Sequence, residues 1–420
     1  MSGSSPVRPG DAAAPRGFNV VNFFLADVAG GLGPFLPTWL ATALHWPPER
    51  IGWAMTFGGI AGLVCNLPAG ALVDRLGAPR AMISAASALI LGGTLLMVWG
   101  VFLPGGTLVR VLAGLGLTAI GGSVIGPSIA AASLAYVGPE RFPGQQGRNA
   151  AWSNAGNVCA AVLVLFGARA LGVRAPLLVL GAMAAVTLAA LLFLTGPRGP
   201  TRRLGLRAGA KPERLLGLMR QPGLVLFALC LLCFHLGNAA MLPLLGLRLA
   251  RHGGGAATQW MSACVIVSQL AMVGVAIGAG RLAQRFGERP LLFAACLVLP
   301  LRGMMAAFGL APGWLVPIEL LDALGAGTLG VITAPLVADL SWGSGRTQAA
   351  LGAVMTVQGV GASLSNALGG ALIGWVGWRF AFLGLSVSPL FALGLAGFLL
   401  RVAVVPPEGA VPAPVPLQSR

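Results

Sequence analysis

Charge is scarce in this chain. Of its 420 residues, 9% are Asp, Glu, Lys or Arg, against roughly 25% in a soluble domain. With 56% of the chain hydrophobic, that shortage excludes a water-soluble globule, because apolar surface on this scale needs lipid as its solvent. Acids are scarcer than bases, 11 against 27, and Lys211 is the sole lysine. The resulting net charge of +16 does not indicate nucleic-acid binding, since the arginines are spread among the ends of apolar runs and form no dense patch. Cysteine is absent from the polar connections: Cys65, Cys159, Cys230, Cys233, Cys264 and Cys296 all lie inside apolar runs, where reduced, small hydrophobes are expected. Phosphate-binding loops, metal-hydrolase spacings and nucleophile motifs are missing as well. Neither an enzyme, nor an ATP-driven pump, nor a bound cofactor is therefore expected. Residues 1–17 lack an apolar core and pass straight into a run long enough to cross a bilayer, which reads as a cytoplasmic tail and not as a cleaved signal.

What the chain has is long, unalternating apolar runs. Backbone polar groups in lipid need internal partners, which leaves helices or closed barrels, and runs of this kind read as helices. About 20 residues at ~1.5 Å rise cross a ~30 Å hydrocarbon core. Twelve spans fit, near 18–40, 51–72, 81–102, 107–136, 150–170, 175–195, 222–246, 258–280, 290–309, 313–338, 349–372 and 378–402. The expected fold is an all-α integral membrane protein of twelve helices in two pseudo-symmetric six-helix halves, 18–195 and 222–402. A basic linker (196–221) joins them, and tails (1–17 and 403–420) flank them. Sorted by side, 19 of the 27 basic residues fall on the face that holds both ends of the chain, and six on the other. Positive charge favours the cytoplasm, so both termini are expected there, in a bacterial inner membrane. Gly122-x-x-x-Gly126 and Gly370-x-x-x-Gly374 are candidate close-packing faces, although a Gly-rich chain also produces such pairs by chance.

The halves repeat one connection. Gly70-Ala-Leu-Val-Asp74-Arg75-Leu-Gly77-Ala-Pro-Arg80 follows the second span, and Gly280-Arg-Leu-Ala-Gln284-Arg285-Phe-Gly287-Glu-Arg289 follows the eighth. Gly147-Arg148 and Gly345-Arg346 likewise precede the fifth and eleventh spans. The charged turn resembles the signature loop of the major facilitator superfamily, and with it the resemblance covers about residues 18–402. It implies a secondary transporter working by alternating access. It further implies that Asp74 and the arginines form a charge-relay latch on the cytoplasmic face, with Gly70 and Gly77 permitting close approach and a tight turn. A turn of this kind can also do no more than hold topology. Gln284 replaces the acid in the second copy, so that loop is expected to lack a carboxylate latch. Arg110-Val-Leu-Ala-Gly114 resembles the fourth-helix motif that the family links to proton coupling. Arg110 lies near the end of its span, where snorkelling to water is the alternative.

Charged residues inside spans are costly and usually functional. Here they are Asp27 in the first span, Arg302 in the ninth, and Glu319 and Asp322 in the tenth, with His235 and Asn238 adding polarity to the seventh. In the family that the chain resembles, spans 1, 4, 7 and 10 line the central cavity. Glu319 and Asp322 are three apart and share a helix face, as do His235, Asn238 and Leu242. Counted at ~1.5 Å per residue, Arg302 lies roughly 18 Å from one boundary, and Asp322 and Glu319 roughly 14 and 9 Å from the other. These depths overlap, so Arg302 is expected to pair with one of the two acids. The other acid and Asp27 are then left to carry protons, to face a cation, or to serve the structure. Asn154, Asn157, Gln358 and Asn366 can contact substrate or tie helices together.

The expected cargo is a small molecule, with protons as coupling ion and a mild preference for a cationic or amphiphilic organic solute. The lipid bilayer is the other partner, and a monomer suffices. Two alternatives stay open. Cys230, Cys233 and His235 are soft ligands that suit a transition metal, but a regular helix cannot turn all three to one point. A sensor or assembly factor can also use a transporter fold.

Overall fold

In the computed structural model of this protein, residues 16–99, 105–193, 221–251, 254–309, 312–341 and 347–401 are described. The ordered elements among them are all helical. The expected linker, except Gln221, lies outside the described residues, as do the expected tails, except Arg16 and Gly17, and the Gly345-Arg346 pair.

Nine stretches among the described residues are long and apolar enough to cross a membrane. Two of them are double: Gln145–Phe193 turns at Gly172–Arg174, and Ala350–Arg401 breaks at Gly377. Pro48–Leu76 is a further 29-residue helix whose charges, Glu49 and Arg75 among them, sit at its ends. Read this way, the described residues hold twelve helical segments. The fourth and fifth are set closer together than the sequence suggests. Helix runs from Thr107 to Leu171, broken only where Gly138 takes φ 72° and ψ 173°. Gln145 and Asn149, expected in a loop, are therefore helical.

The first and seventh spans are both broken at the same place. The first is helical over Arg16–Gly30, turns at residues 31–32, and resumes through Gly33–Phe35 into Leu36–Ala43. The seventh is helical over Pro222–Asn238, turns at 239–240, and resumes over Met241–Ala250. Gly31 and Gly33 take φ 57° and 42°, a region that costs other residues energy, and Pro34 and Pro37 remove backbone donors just beyond them. The tenth span widens into a π-helical turn, Ala323–Gly327, directly after Asp322.

Small residues bring the two halves together at one end. A Cβ on Gly52 would collide with the Asn366 carbonyl, one on Gly370 with Pro48, and one on Gly374 with the Glu49 carboxylate. Of the two sequence pairs, Gly370 and Gly374 thus form a close-packing face, whereas only Gly122 of the other pair has a neighbour, the Ala29 carbonyl. Thr56 stitches the seam. Its hydroxyl donates to the Ser363 carbonyl at 2.7 Å and accepts from the Ala367 amide at 2.9 Å. A small apolar cluster of Phe35, Val164, Ala168, Ala175 and Met261 joins the first, fifth, sixth and eighth spans at the same end. Gly70 and Gly280, near the opposite end, have open space where a Cβ would go. The close approach expected at Gly70 is therefore not made among the described residues, because the halves meet at the far end of that helix.

Candidate functional site

Arg302 organises the interior of the second half. It leaves the ninth span 1% exposed and spends its donors on two other spans, the seventh and the tenth. Nε donates to the Ile318 carbonyl at 3.2 Å, and Nη2 to Glu319 Oε1 at 3.0 Å. Nη1 lies 2.6 Å from Asn238 Oδ1 and 3.0 Å from Asp322 Oδ1. Asn238 closes the ring, donating through Nδ2 to the same Asp322 oxygen at 2.9 Å. The single pairing expected for Arg302 is thus a fork onto both acids. Two carboxylates three residues apart on one helix can meet the two ends of one planar guanidinium. A buried charge left unpaired would be costly, and this network answers it with hydrogen bonds on every side.

Glu319 and Asp322 differ in surroundings. Glu319 is fully buried, and its Oε2 has no hydrogen-bond partner among the described residues. Asp322 is 13% exposed through its side chain and opens onto a cavity of about 320 Å³. That cavity is lined by Gly33 and Pro34 from the break in the first span, Asn238, Ala239, Leu242 and Pro243 from the break in the seventh, and Arg302 and Asp322. Met55 and Asn366, from the second and eleventh spans, complete it. It therefore lies between the two halves, against the Thr56 seam.

Other expected site residues fall in different places. His235, one turn before Asn238, bonds through Nδ1 to the Leu231 carbonyl at 3.0 Å. Asp27 is half-buried and has no hydrogen bond or ion pair among the described residues. It shares a helix face, offset by about 20°, with the exposed Val20. Arg110 is not brought to the cavity. It sits in the first turn of its helix, with Nε 3.5 Å from the Gly106 carbonyl. Cys230, Cys233 and His235 do not converge either. The Cys230 sulfur lies 3.7 Å from that of Cys296 and 3.3 Å from the Ala392 carbonyl, away from His235. Among the described residues no three His, Cys, Asp or Glu side chains are grouped for a metal.

The repeated loops share an attachment. Gly77 and Gly287 turn with φ 59° and 81°, and Arg75 and Arg285 are exposed. Arg80 Nη2 donates to the Tyr136 hydroxyl at 2.7 Å near the end of the fourth span, and the Tyr136 ring packs on Phe18. In the other half Arg289 lies 3.6 Å from Asp339, near the end of the tenth span, and donates to the Leu399 carbonyl. The carboxylate that the second loop was expected to lack is supplied by a different helix. The side chain of Asp74 lies outside those the structure describes.

One polar cluster was missed by the sequence reading. Asn149 Nδ2 donates to Ser133 at 2.7 Å and to Gln146 at 2.9 Å, while its Oδ1 accepts from Gln145 at 2.8 Å and from Asn22 at 3.4 Å. It knots the first, fourth and fifth spans. The available signal was the spacing of Gln145 and Asn149, four apart, but both had been assigned to a loop. Asn154, Asn157 and Gln358 make no hydrogen bond among the described residues.

Comparison with known proteins places this geometry in context. The model of the Major Facilitator Superfamily matches residues 18–318 and 227–419. An uncharacterized MFS-type transporter of Mycobacterium tuberculosis is 36% identical over 413 residues, covering 97% of this chain and 96% of its own. Among solved structures, the nucleoside transporter NupG superposes with a TM-score of 0.75 at 14% identity, over 92% of this chain and 99% of its own. A POT family transporter in complex with 5-aminolevulinic acid gives a TM-score of 0.69 at 13% identity, over 92% and 95%. A bacterial homolog of the human lysosomal transporter Spinster gives 0.65 at 14%, over 91% and 96%. At these identities the likeness is one of fold.

Proposed function

The chain belongs to the Major Facilitator Superfamily of membrane transporters, and on that premise we propose that it moves a small organic cation across the membrane by alternating access, driven by protons. The observation that carries this reading is the cavity between the breaks of the first and seventh spans, closed on one side by the seam at Thr56. Broken helices at a repeat interface free backbone groups and space for a solute near mid-membrane. The halves touch closely at the end that holds Gly52, Gly370 and Gly374. Rocking about the cavity would part that end and bring Gly70 and Gly280 toward the opposite half.

The distribution of arginine supports an orientation with the seam on the outer face and both termini in the cytoplasm of a bacterial cell. Proton coupling is assigned to Asp27, a half-buried acid within a broken helix that has no hydrogen bond or ion pair among the described residues. An ionisable side chain inside a span is costly and usually functional, and a carboxylate can take up and release a proton. Asp322, with Asn238 and Arg302 holding it in place, faces the solute.

The test is uptake in proteoliposomes containing the purified chain. A solute that binds the cavity should accumulate under an imposed pH gradient and exchange in counterflow without one. Binding with neither uptake nor exchange would rule out carriage and favour a sensor built on the same fold.

A further inference from the structure

The hydrogen-bonding balance of the cavity restricts what can fill it. Arg302 carries five N–H donors, and four are already directed at Ile318, Glu319, Asn238 and Asp322. Arg302 is 1% exposed and offers an incoming anion little, which leaves the neutral amide N–H groups of Asn238 and Asn366 as the other side-chain donors of the lining. The acceptors are in the opposite condition. Asp322 Oδ1 takes the contacts from both Asn238 and Arg302, and Oδ2 accepts nothing among the described residues. Asn366 donates weakly to the Ala362 carbonyl at 3.4 Å, and its Oδ1 is likewise unused. The charged donor of the cavity is thus engaged while its charged acceptor, Asp322, is open, and an occupant that brings N–H donors is favoured.

Charge adds a sign. One guanidinium faces two carboxylates, which leaves the ionised cluster with a formal surplus of one negative charge. The remaining wall is apolar, made by Met55, Leu242, Pro34 and Pro243, and no aromatic ring lines it among the described residues. Quaternary ammonium groups are held by aromatic cages and have no N–H to give. The volume, about 320 Å³, is at the small end of the roughly 300–1,000 Å³ typical of ligand sites.

Resting on the transport reading above, we propose that the cavity takes a compact molecule with a protonated primary or secondary amine and an apolar body. The ammonium N–H groups bond to Asp322 and Asn366. The body lies against Met55 and Leu242.

The experiment uses the full chain in detergent and reads ligand affinity from the thermal midpoint. Three apolar bodies (linear, cyclic and aromatic) are each supplied as primary amine, N-methyl amine, trimethylammonium, alcohol and carboxylate. At neutral pH the primary and secondary amines should bind. The trimethylammonium and alcohol forms should bind roughly tenfold more weakly or worse, the scale of losing a charge-assisted hydrogen bond. Met55→Trp, which fills the wall without touching the ion cluster, should abolish amine binding while the unliganded midpoint stays close to wild type. Equal affinity for the trimethylammonium form would overturn the need for N–H, and equal affinity for the alcohol would overturn the need for charge. Tighter binding of the carboxylate, amine binding that survives Met55→Trp, or no amine binding at all would each overturn the proposal. Counterflow separates the two readings. An amine that binds but is not exchanged sinks the transport reading, whereas exchange of a non-amine solute blocked by Met55→Trp sinks the amine class alone.

Discussion

Asp27 and His235 occupy matching positions in two broken helices, each three residues before the last residue of the helix that precedes the break. One is an acid without a hydrogen bond or ion pair among the described residues, and the other is an imidazole bonded to the Leu231 carbonyl. The repeat thus places a titratable group about one turn before the break in each half, and uses a different chemistry in each.

If Asp27 carries the proton, Asp27→Asn should abolish accumulation driven by a pH gradient while leaving counterflow near the wild-type rate. The carboxamide preserves shape and removes the titration. Gradient-driven uptake at the wild-type rate in this variant, with comparable protein in the membrane, would remove Asp27 from the mechanism.

Arg302 holds the second half together from inside. Arg302→Ala leaves two carboxylates facing each other in the interior, and breaking a buried pair on one side costs about 3–5 kcal/mol. We expect a large drop in thermal midpoint and poor yield, with a similar fate for Asp322→Arg alone. Exchanging the charges, Arg302→Asp with Asp322→Arg, should return monodisperse protein on size exclusion. A swapped variant no better behaved than either single change would count against the pair.

The seam at Thr56 should control which end is open. Thr56→Val removes both bonds across the seam and lets the Ser363 carbonyl and Ala367 amide pair within their own helix, a net loss of about 0.5–1.5 kcal/mol per bond. Gly52→Val sets a side chain against the Asn366 carbonyl. Both changes should favour separation at this end. A cysteine at Met55 should then react faster with a membrane-impermeant maleimide than it does in the otherwise unchanged chain. Unaltered labelling would mean that the seam does not govern access.

Cys230 and Cys296 are both fully buried and face each other across the seventh and ninth spans. Neither should react with maleimide in the folded protein, and both should after denaturation. Labelling of native protein at either thiol, located by peptide mass mapping, would show that these spans separate during the cycle.

The fold was legible because lipid imposes a simple rule on sequence. Each crossing needs an apolar run, and the charged turns between runs mark its ends. The site was legible in its ingredients. Arg302, Glu319, Asp322 and Asn238 stand out because polar side chains in apolar runs have few explanations. What the sequence withheld was angular. Depth along a helix can be counted, but which way Arg302 turns, and that it forks, depends on how three helices are rotated against one another. The Asn149 knot was hidden for a different reason: residues 137–149 are polar enough to read as a loop, and only Gly138 actually interrupts the helix. Arg289 illustrates a third limit. Its partner Asp339 is 50 positions further along the chain, so an acid near this loop could not be read from the loop's own sequence.

Tyr136 is the chain's sole tyrosine, and it holds Arg80 of the repeated loop while resting on Phe18. Growth on 3-fluorotyrosine would therefore place one fluorine nucleus per molecule, at the contact that ties the loop to the fourth span. A single resonance would follow that contact through the transport cycle, in a protein otherwise too rich in repeated Leu, Ala and Gly for its spectrum to be assigned with ease.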